Sequence, residues 1–448
     1  MTHSQVIDTN QQIIIIGAGI SGLALAILLS RNGHTVSVYE KRAYFAKEID
    51  GRSINFTISG RGLNVLDKLG LKNKVVAHSV ALQGREVHLK QSKTIHYKYG
   101  TQKENLLHAI RRSALIDILL NEVALETNIK IHYGCELTHI DKATLKCDFF
   151  DQKTQSTLAD HASCVIGADG VFSAVRGLMM KEQITSYQQK VFDWGYKEFN
   201  LNEHDGKTLQ LDANKLHMWP NANALLVAIP NTDKSFSVIL TAPLSDACGN
   251  RTDFNQLIKD EYADLVSHAP GLLDKQDSRL SSYLVSVKID RWHLDDKIVL
   301  LGDACHATYP FYGQGMNSSL EDALILSDHI HHTSLSRKEA FIRYEKTRKT
   351  DTNALHQLSE AHLHRMTKAM ISPFWQAKDT LDYYLAKVFS KQWFYEYEAV
   401  AHSNISYLDV LNMVKKQNKR KLFSGFFIIA YLLGIRTWSL NKINKIVN

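Results

Sequence analysis

The sequence predicts an α/β fold, because short apolar strands alternate along the chain with helical stretches. Three of the apolar segments, 12–16, 164–166 and 297–301, are each followed by a glycine-containing turn. Runs of β-branched residues that end at glycine are typical of buried strands. These segments therefore indicate a sheet whose strands lead into ligand-binding turns.

The first strand leads into a dinucleotide-binding motif. Segment 12–16 runs into Gly17-Ala18-Gly19-Ile20-Ser21-Gly22, a GxGxxG loop that is followed by a helical stretch. A second strand spans 35–39, and Glu40 follows 18 residues after the last glycine of the loop. Such a loop lets a pyrophosphate approach the backbone, and the acid accepts a hydrogen bond from a ribose hydroxyl. The spacing predicts a Rossmann-type unit.

The segment from Gly302 to Asn317 predicts the flavin end of the same site. Asp303 follows a buried strand, where a carboxylate can accept a hydrogen bond from a ribityl hydroxyl. Pro310 forces a turn, and Gly313-Gln314-Gly315 lets backbone N–H groups approach a flat ligand closely. From Met316 the sequence is helical, so a helix N-terminus is expected to favour the negative charge of a reduced flavin.

Length, cysteine content and charge narrow the class of protein. The chain has 448 residues, of which 44% are hydrophobic, so more than one domain is expected. Five scattered cysteines without a CxxC motif indicate neither a disulfide framework nor a zinc site, and a reducing cytoplasm is expected. Residues 1–11 are polar and predict no signal peptide. The net charge of +7 arises from residues 411–448, so the near-neutral body argues against nucleic-acid binding.

Three regions are expected along the chain. Alternating patterns at 85–89 and 94–99, and strand-like runs at 224–229 and 235–240, predict a second sheet. Ser336 and Glu339 form a capping box that starts a helical region. The predicted division is a nucleotide-binding domain at 1–72, 100–185 and 286–335, a substrate domain at 73–99 and 186–285, and a helical C-terminal region at 336–448.

Taken together, these motifs resemble the group A flavin-dependent aromatic hydroxylases, the p-hydroxybenzoate hydroxylase-like family with its GxGxxG, DG and GD motifs. The resemblance covers roughly residues 12–330 and includes Asp169-Gly170, Met218-Trp219-Pro220 and Pro310 to Asn317. It implies a Rossmann-type FAD-binding domain with an inserted β-sheet substrate domain and a helical C-terminal region.

The resemblance also implies an activity. The family members that this sequence matches best hydroxylate an aromatic amino acid, L-kynurenine, with FAD as cofactor and NADPH and O₂ as co-substrates. Because the flavin carries the chemistry in this family, no catalytic nucleophile, triad or metal is expected. Two other interpretations remain open: a hydroxylase of the same fold that acts on another aromatic acid, and a flavoprotein reductase that makes no oxygenated product.

The resemblance implies that Arg85 and Tyr99 hold the substrate carboxylate. Arginine can bind a carboxylate bidentately, and a phenol adds a further donor. Two other substrate contacts of the family, an asparagine and a tyrosine, align with Ile371 and Glu396, and Tyr395 and Tyr397 flank the second position. An acid at that position favours the interpretation that the protein takes a different substrate.

The resemblance further implies a set of FAD contacts. A valine at either of the first two loop glycines is expected to fill the space that the pyrophosphate needs and to abolish FAD binding. The predicted contacts are Gly17, Gly19, Ile20, Ser21, Gly22, Glu40, Lys41, Arg42, Arg112, Leu137, Asp169, Asp303, Pro310, Gly313, Gln314, Gly315, Met316 and Asn317.

Other aromatic and ionisable side chains near these motifs have weaker interpretations. Tyr196, His217 and Trp219 are candidates for the lining of the substrate-ring pocket. His306 lies beside the flavin motif, and we interpret it as a hydrogen-bonded histidine of the loop rather than as a catalytic acid or base.

The C-terminal tail contains an uncharged stretch of 14 residues, 422–435, between Lys419-Arg420-Lys421 and Arg436. About 20 apolar residues are needed to span a bilayer, so a spanning helix is not predicted. Two interpretations stay open: a peripheral helix attracted to anionic lipid, and a helix folded onto the body of the protein. The sequence does not determine the oligomeric state.

Overall fold

The computed structural model describes residues 12–43, 55–89, 93–201, 211–245, 253–268 and 282–432. The strands are β1 (Ile13–Ile16), β2 (Val36–Glu40), β3 (Asn55–Ile58), β4 (Val80–Leu82), β5 (Arg85–Leu89), β6 (Lys93–Tyr97), β7 (Leu107–Arg111), β8 (Ile129–Tyr133), β9 (Cys135–Ile140), β10 (Lys146–Asp151), β11 (Ser156–His161), β12 (Cys164–Gly167), β13 (Tyr187–Leu201), β14 (Leu216–Asn221), β15 (Ala224–Pro230), β16 (Phe236–Pro243), β17 (Ser282–Ile289), β18 (His293–Leu294) and β19 (Ile298–Leu300). The helices are α1 (Ile20–Arg31), α2 (Gly60–Lys68), α3 (Lys72–Ala77), α4 (Arg112–Val123), α5 (Ala174–Lys181), α6 (Phe254–Glu261), α7 (Ala263–His268), α8 (Asp303–His306), α9 (Gly315–His331), α10 (Arg337–His364), α11 (Pro373–Val388), α12 (Glu396–His402) and α13 (Tyr407–Leu432).

The glycine motif lies in a sheet with the strand order β18-β19-β12-β1-β2-β8 among the described residues. All its neighbouring pairs are parallel except β18 and β19. The four residues of β1 are all buried, because helices and strands cover both faces of a parallel sheet. The strands predicted at 12–16, 164–166 and 297–301 are β1, β12 and β19, and they are adjacent. The predicted α/β class with a Rossmann-type unit is thereby confirmed.

A second sheet has the order β17-β13-β16-β15-β14-β5-β6 among the described residues. Strands β5 and β6 come from one part of the chain and β13 to β17 from another. The two segments join into one sheet at the parallel β5–β14 pair. Along β14, Leu216 and Met218 belong to the core shared with the C-terminal helices, whereas Trp219 belongs to a core on the other face. This alternation follows from the period of two along a strand.

Two small sheets, β3-β7-β4 and β9-β10-β11, complete the described strands. The predicted capping box is present, since Ser336 Oγ accepts from the backbone N–H of Glu339 and the Glu339 carboxylate accepts from that of Ser336. It starts α10, a 28-residue helix that packs against α9 and α13. After His364 this helix widens into a π-helix, Arg365–Ala369. Helices α10 to α13 thus cover one face of the second sheet.

The uncharged stretch 422–435 begins inside α13, and its last residues lie outside the described part of the chain. Within the described ranges, no helix is both long enough and apolar enough to cross a bilayer.

Candidate functional site

The glycine loop between β1 and α1 leaves open space where a dinucleotide would approach. Gly17 has φ +104°, and a Cβ there would lie 2.5 Å from the carbonyl oxygen of Ala168. A Cβ on Gly22 would lie 2.2 Å from the Gly17 oxygen, whereas one on Gly19 would meet nothing within 4 Å. Gly19 is the N-cap of α1, so the unpaired N–H groups of the first helical turn face the same opening. The loop fits a pyrophosphate at Gly19.

The glycine loop also corrects one expectation. The predicted reason for intolerance at Gly17, a clash with the pyrophosphate, is wrong, because the added side chain would first strike the backbone that follows β12. That backbone is the start of the DG motif, since the Cα of Asp169 would lie 3.0 Å from the same Cβ. Gly17 is therefore required for the close packing of the two motifs, and Gly19 is the glycine that faces open space.

Glu40 at the end of β2 braces the loop. Its Oε2 accepts a hydrogen bond from the backbone N–H of Ala18 at 3.0 Å, and its Oε1 accepts from Arg42 Nε at 2.9 Å. Each carboxylate oxygen has two lone pairs, so Glu40 keeps acceptor capacity for a ribose hydroxyl. Lys41, between them, is exposed.

Asp303, Arg112 and Glu40 come from three separate segments and meet at one opening. Burial lowers the pKa of the Arg112 guanidinium, while the charges of Asp303 and Glu40 act to raise it. Arg112 Nε is buried without a hydrogen-bond partner among the described residues. Asp303 lies deep enough for burial to raise the pKa of its carboxyl, yet its side chain is exposed to solvent. A group that is both deep and accessible lies on the floor of a cleft.

The segment Pro310–Tyr312 forms a 3₁₀ turn that ends at Gly313 with φ +66°. Helix α9 follows, and its first turn presents free N–H groups beside the turn. The Asn317 side chain donates to the carbonyl oxygens of Thr57 and Gly313, both at 3.0 Å, and accepts from the N–H of Ser59 at 3.0 Å. Asn317 therefore ties this loop to the start of α2. Gln314, also predicted as an FAD contact, is buried and accepts from Ser59 Oγ at 3.2 Å.

The GxGxxG loop and the GD motif lie close together in the structure. A Cβ on Gly302 would lie 3.4 Å from Ser21 Oγ in α1. The cleft is consequently bounded by Gly19 and Ser21 at one end and by the start of α9 at the other. Backbone donors at two helix N-termini, with an acceptor at Asp303 between them, fit FAD, whose pyrophosphate and flavin ends need donors and whose ribityl chain needs an acceptor.

Asp169 and Leu137 have structural roles of their own. Asp169 Oδ2 accepts from the N–H groups of Ala174 at 2.6 Å and Val175 at 3.1 Å, so this carboxylate caps α5. Its Oδ1 is buried without a partner among the described residues. Leu137 packs in the core of the small sheet, where its register partner is Phe149.

A second cavity lies between the seven-stranded sheet and the C-terminal helices, with a volume of about 720 Å³ including the space that opens to solvent. Arg85, the first residue of β5, lies in its wall, and its guanidinium carbon is 5.7 Å from the Tyr99 ring centroid. Arg85 Nε and Tyr99 Oη are both buried without a hydrogen-bond partner in the described structure. Burial raises the pKa of Tyr99 well above its usual value, so the phenol keeps its proton. Two unpaired donors at one place favour an anionic ligand group.

Residues from the C-terminal helices complete this cavity. The Tyr397 ring centroid lies 4.5 Å from the Arg85 guanidinium carbon and 5.5 Å from the Tyr99 ring centroid. Glu396 also lines the cavity, whereas Ile371 is 41% exposed and does not. The tyrosine that contacts Arg85 is therefore Tyr397, one residue after the aligned position. Sequence reasoning named it only as a neighbour and missed His362, Arg365 and Asp379 in the cavity wall, for which no motif gave a signal.

Tyr312 of the predicted flavin loop packs behind the wall of this cavity. Its ring packs at a tilt of 30° against His362 with 4.1 Å between ring centroids, and its hydroxyl donates to Glu396 Oε1 at 3.4 Å. Because Tyr312 belongs to the turn that precedes α9, the predicted flavin loop contacts His362 and Glu396 of the cavity wall. A ligand in the cavity would lie beside that loop.

The structure corrects one candidate lining pair. His217 is buried against Phe236 and hydrogen-bonds the carbonyl oxygen of Asp212, and Trp219 lies in the core behind the sheet. Both face away from Arg85 because of the strand alternation, and Met218 between them faces the cavity side. Tyr196, the third candidate, packs on the cavity side.

His306 forms part of a buried polar network beneath α9. Its Nε2 hydrogen-bonds Asp322, which also accepts from Arg348 Nε at 2.6 Å. Burial acts to raise the pKa of Asp322, but His306 and Arg348 outweigh it and hold that pKa below its usual value. The ring of His306 also stacks on Trp292. These contacts support the interpretation of His306 as a hydrogen-bonded residue of the loop.

Comparisons with known proteins agree with this architecture. The family model described as the FAD binding domain matches residues 10–359. The chain is 32% identical over 434 residues to a kynurenine 3-monooxygenase of Salinispora tropica, covering 94% of this chain and 95% of the relative. It is 31% identical over 435 residues to the kynurenine 3-monooxygenase of Dictyostelium discoideum, covering 93% and 94%.

Solved structures show the same fold. The tetrameric form of 2-methyl-3-hydroxypyridine-5-carboxylic acid oxygenase superposes with a TM-score of 0.67 at 21% identity, covering 81% of this chain and 94% of that one. Pseudomonas aeruginosa PqsL in complex with 2-aminobenzoylacetate gives a TM-score of 0.62 at 20% identity, covering 81% and 98%. From the family match and the near full-length relatives, the chain belongs to the FAD-binding flavoprotein monooxygenases, the family that includes the kynurenine 3-monooxygenases.

Proposed function

We propose that this protein hydroxylates the aromatic ring of L-kynurenine to give 3-hydroxykynurenine, with FAD as its cofactor and NADPH and O₂ as co-substrates. The observation that carries the proposal is a pair of buried donors without a hydrogen-bond partner among the described residues, Arg85 Nε in the cavity wall and Oη of the adjacent Tyr99. That pair suits the carboxylate of an amino acid. The relatives named above are kynurenine 3-monooxygenases, which supports this amino acid in particular.

In this proposal the chain binds FAD along the cleft. Gly19 and the first turn of α1 hold the pyrophosphate, Asp303 accepts from the ribityl chain, and the N-terminus of α9 faces the flavin ring. FAD supplies the redox chemistry that activates O₂ and delivers one oxygen atom to the substrate. Glu40 is proposed to accept from the ribose, and the remaining predicted contacts stay proposals of the same kind.

The protein's contribution to the reaction is position and exclusion of water. Arg85 and Tyr99 hold the carboxylate end, so the ring of the substrate extends towards Tyr312 and the flavin loop. Tyr309 and Phe311, both buried, and Phe192 pack against one another on this side of the second sheet. Aromatic side chains on this side would limit the access of water to the reacting atoms, which favours oxygen transfer over loss of the activated oxygen to solvent.

L-Kynurenine is expected to accelerate NADPH oxidation by the FAD-loaded protein and to gain one hydroxyl group. The oxygen should enter at the ring carbon ortho to the amino group, because that group donates electron density there. Stopped assays with product identification by mass and by NMR would test this. If kynurenine accelerates NADPH oxidation but hydrogen peroxide is the only product formed from O₂, kynurenine is an effector. That result would favour another aromatic acid as the substrate. No response to any aromatic acid would favour the reductase interpretation.

We also propose that the protein is cytoplasmic and that its C-terminal region makes peripheral contact with anionic membranes. Lys415, Lys416 and Lys419 are exposed on α13, and the uncharged stretch 422–435 follows them. Each basic side chain near an anionic surface contributes about 1 kcal/mol of attraction. The full chain is therefore expected to co-sediment with vesicles containing phosphatidylserine.

The matched control reverses those charges. K415E/K416E/K419E is expected to bind the same vesicles at least tenfold more weakly, since three attractions become repulsions. Vesicles of phosphatidylcholine alone should bind the unaltered chain weakly. Equal binding of the variant and the unaltered chain to both vesicle types would contradict the proposal and favour a tail folded onto the body.

A further inference from the structure

The proposed substrate cavity is lined by more charged side chains than are required to bind one carboxylate. Among the described residues its charged lining comprises Arg85, Arg365, Lys378, Asp379, Asp382, Glu396 and Lys421. Ions buried without partners are costly, so the way in which these groups pair determines which charges are left for a ligand.

Most of these charges neutralise one another. Arg365 Nη2 lies 2.7 Å from Glu396 Oε2, and Lys421 Nζ lies 2.5 Å from Asp382 Oδ2. Lys378 Nζ is 3.6 Å from the same Asp382 oxygen. His362 adds no charge, because burial holds the pKa of its imidazole well below the usual value. None of the ion pairs formed by the described residues includes Arg85 or Asp379.

Asp379 is the acid of this lining that forms no ion pair with any described residue. It lies on α11, and its Oδ2 accepts a hydrogen bond from Tyr395 Oη at 3.2 Å. Burial raises the pKa of its carboxyl, the charges of Arg85 and Arg365 act to lower that pKa, and neither arginine lies within 4 Å. Arg85 and Asp379 are therefore the cation and the acid of the lining that have no ion-pair partner among the described residues, and a gap separates them.

We infer that Asp379 binds the α-ammonium group of the amino-acid substrate while Arg85 binds its carboxylate. The inference rests on the proposed function and extends it to the second charge of the zwitterion. A zwitterionic ligand would complete both charge pairs, whereas a simple carboxylic acid would complete only that of Arg85. Asp379 thus selects free α-amino acids over acids of the same shape that lack the amino group.

The other interpretation is that Asp379 serves only as a counter-ion that keeps Arg85 in place. The two interpretations of Asp379 predict different effects of its substitution on different ligands. A counter-ion affects every carboxylate ligand through Arg85, whereas an ammonium partner affects only ligands that carry the amino group.

The test measures equilibrium dissociation constants of the FAD-loaded protein for two ligands, by the change in flavin absorbance on titration. The ligands are L-kynurenine and 4-(2-aminophenyl)-4-oxobutanoate, which lacks the α-amino group. Asp379→Asn is expected to weaken kynurenine binding by roughly ten- to a hundredfold, the loss of one charge-assisted hydrogen bond. Binding of the deaminated ligand should change by less than about twofold, so that the preference for kynurenine disappears.

Asp382→Asn is the matched control, because this acid lines the same cavity but is neutralised by Lys421 and Lys378. It is expected to leave the ratio of the two dissociation constants unchanged. Equal weakening of both ligands by Asp379→Asn would overturn the inference in favour of a counter-ion, and no effect on either ligand would overturn it as well. Unaltered protein that binds kynurenine but forms no hydroxylated product would contradict the proposed function alone.

Discussion

Gly19→Val is expected to yield a folded protein that does not retain FAD. A Cβ at Gly19 would meet no atom within 4 Å beyond its neighbours in the chain, so we expect the substitution to leave the packing of the loop intact. The isopropyl group would instead occupy the opening at the N-terminus of α1, where the pyrophosphate has to approach the backbone. The ratio of flavin to protein absorbance measures the loss, and circular dichroism verifies the fold.

Two further glycine variants make the result specific. Gly177 in α5 also has open space before its Cβ but lies outside the cleft, so Gly177→Val should retain FAD. Gly17→Val should lower stability itself, because its Cβ would press on the Ala168 carbonyl. Full FAD occupancy in Gly19→Val would refute the assignment of this loop to the pyrophosphate.

Arg85→Ala is expected to raise the KM for L-kynurenine by on the order of a hundredfold with FAD content unchanged. A charge-assisted, bidentate contact to a carboxylate contributes a few kcal/mol, and alanine removes it entirely. Steady-state kinetics with saturating NADPH would measure the change, and flavin absorbance would measure FAD content. The effect should fall on KM more than on kcat, since the carboxylate lies at the end of the substrate remote from the reacting ring carbon.

Arg85→Lys keeps the positive charge but lacks the planar, forked guanidinium group. Its KM for L-kynurenine should therefore fall between that of the unaltered protein and that of Arg85→Ala. Arg111→Ala removes an arginine whose side chain is 41% exposed and pairs with Asp233, so it should leave the KM unchanged. An unchanged KM in Arg85→Ala would mean that another group holds the carboxylate.

The elements of the FAD-binding half could be predicted from the sequence, because each is indicated by residues that are neighbours in the chain. The strand at 12–16, the glycine loop and the helix after it are consecutive, and each shows the periodicity or the glycine spacing that its backbone requires. The same holds for the turn from Pro310 to Gly313 and for the capping box at Ser336. Local steric rules are sufficient for such elements.

The face of the sheet towards which a side chain points was harder to predict from the sequence. His217 and Trp219 were candidates for the cavity, and the alternation along β14 places them behind the sheet. That choice depends on which face of the sheet the C-terminal helices cover. Similarly, the role of Gly17 depends on the carbonyl of Ala168, which directly follows β12 and is about 150 residues away in the chain.

The sequence by itself determined the fold class and the FAD-binding motifs, and its resemblance to the family supplied the candidate pair Arg85 and Tyr99. Only the tertiary structure decided that Tyr397 rather than Glu396 contacts Arg85, and that Asp379 is left without an ion-pair partner among the described residues. The physical reason is the range of the interactions. Backbone conformation follows from neighbouring residues, whereas the charge balance of a cavity depends on side chains that meet only after the sheet and the C-terminal helices have packed together.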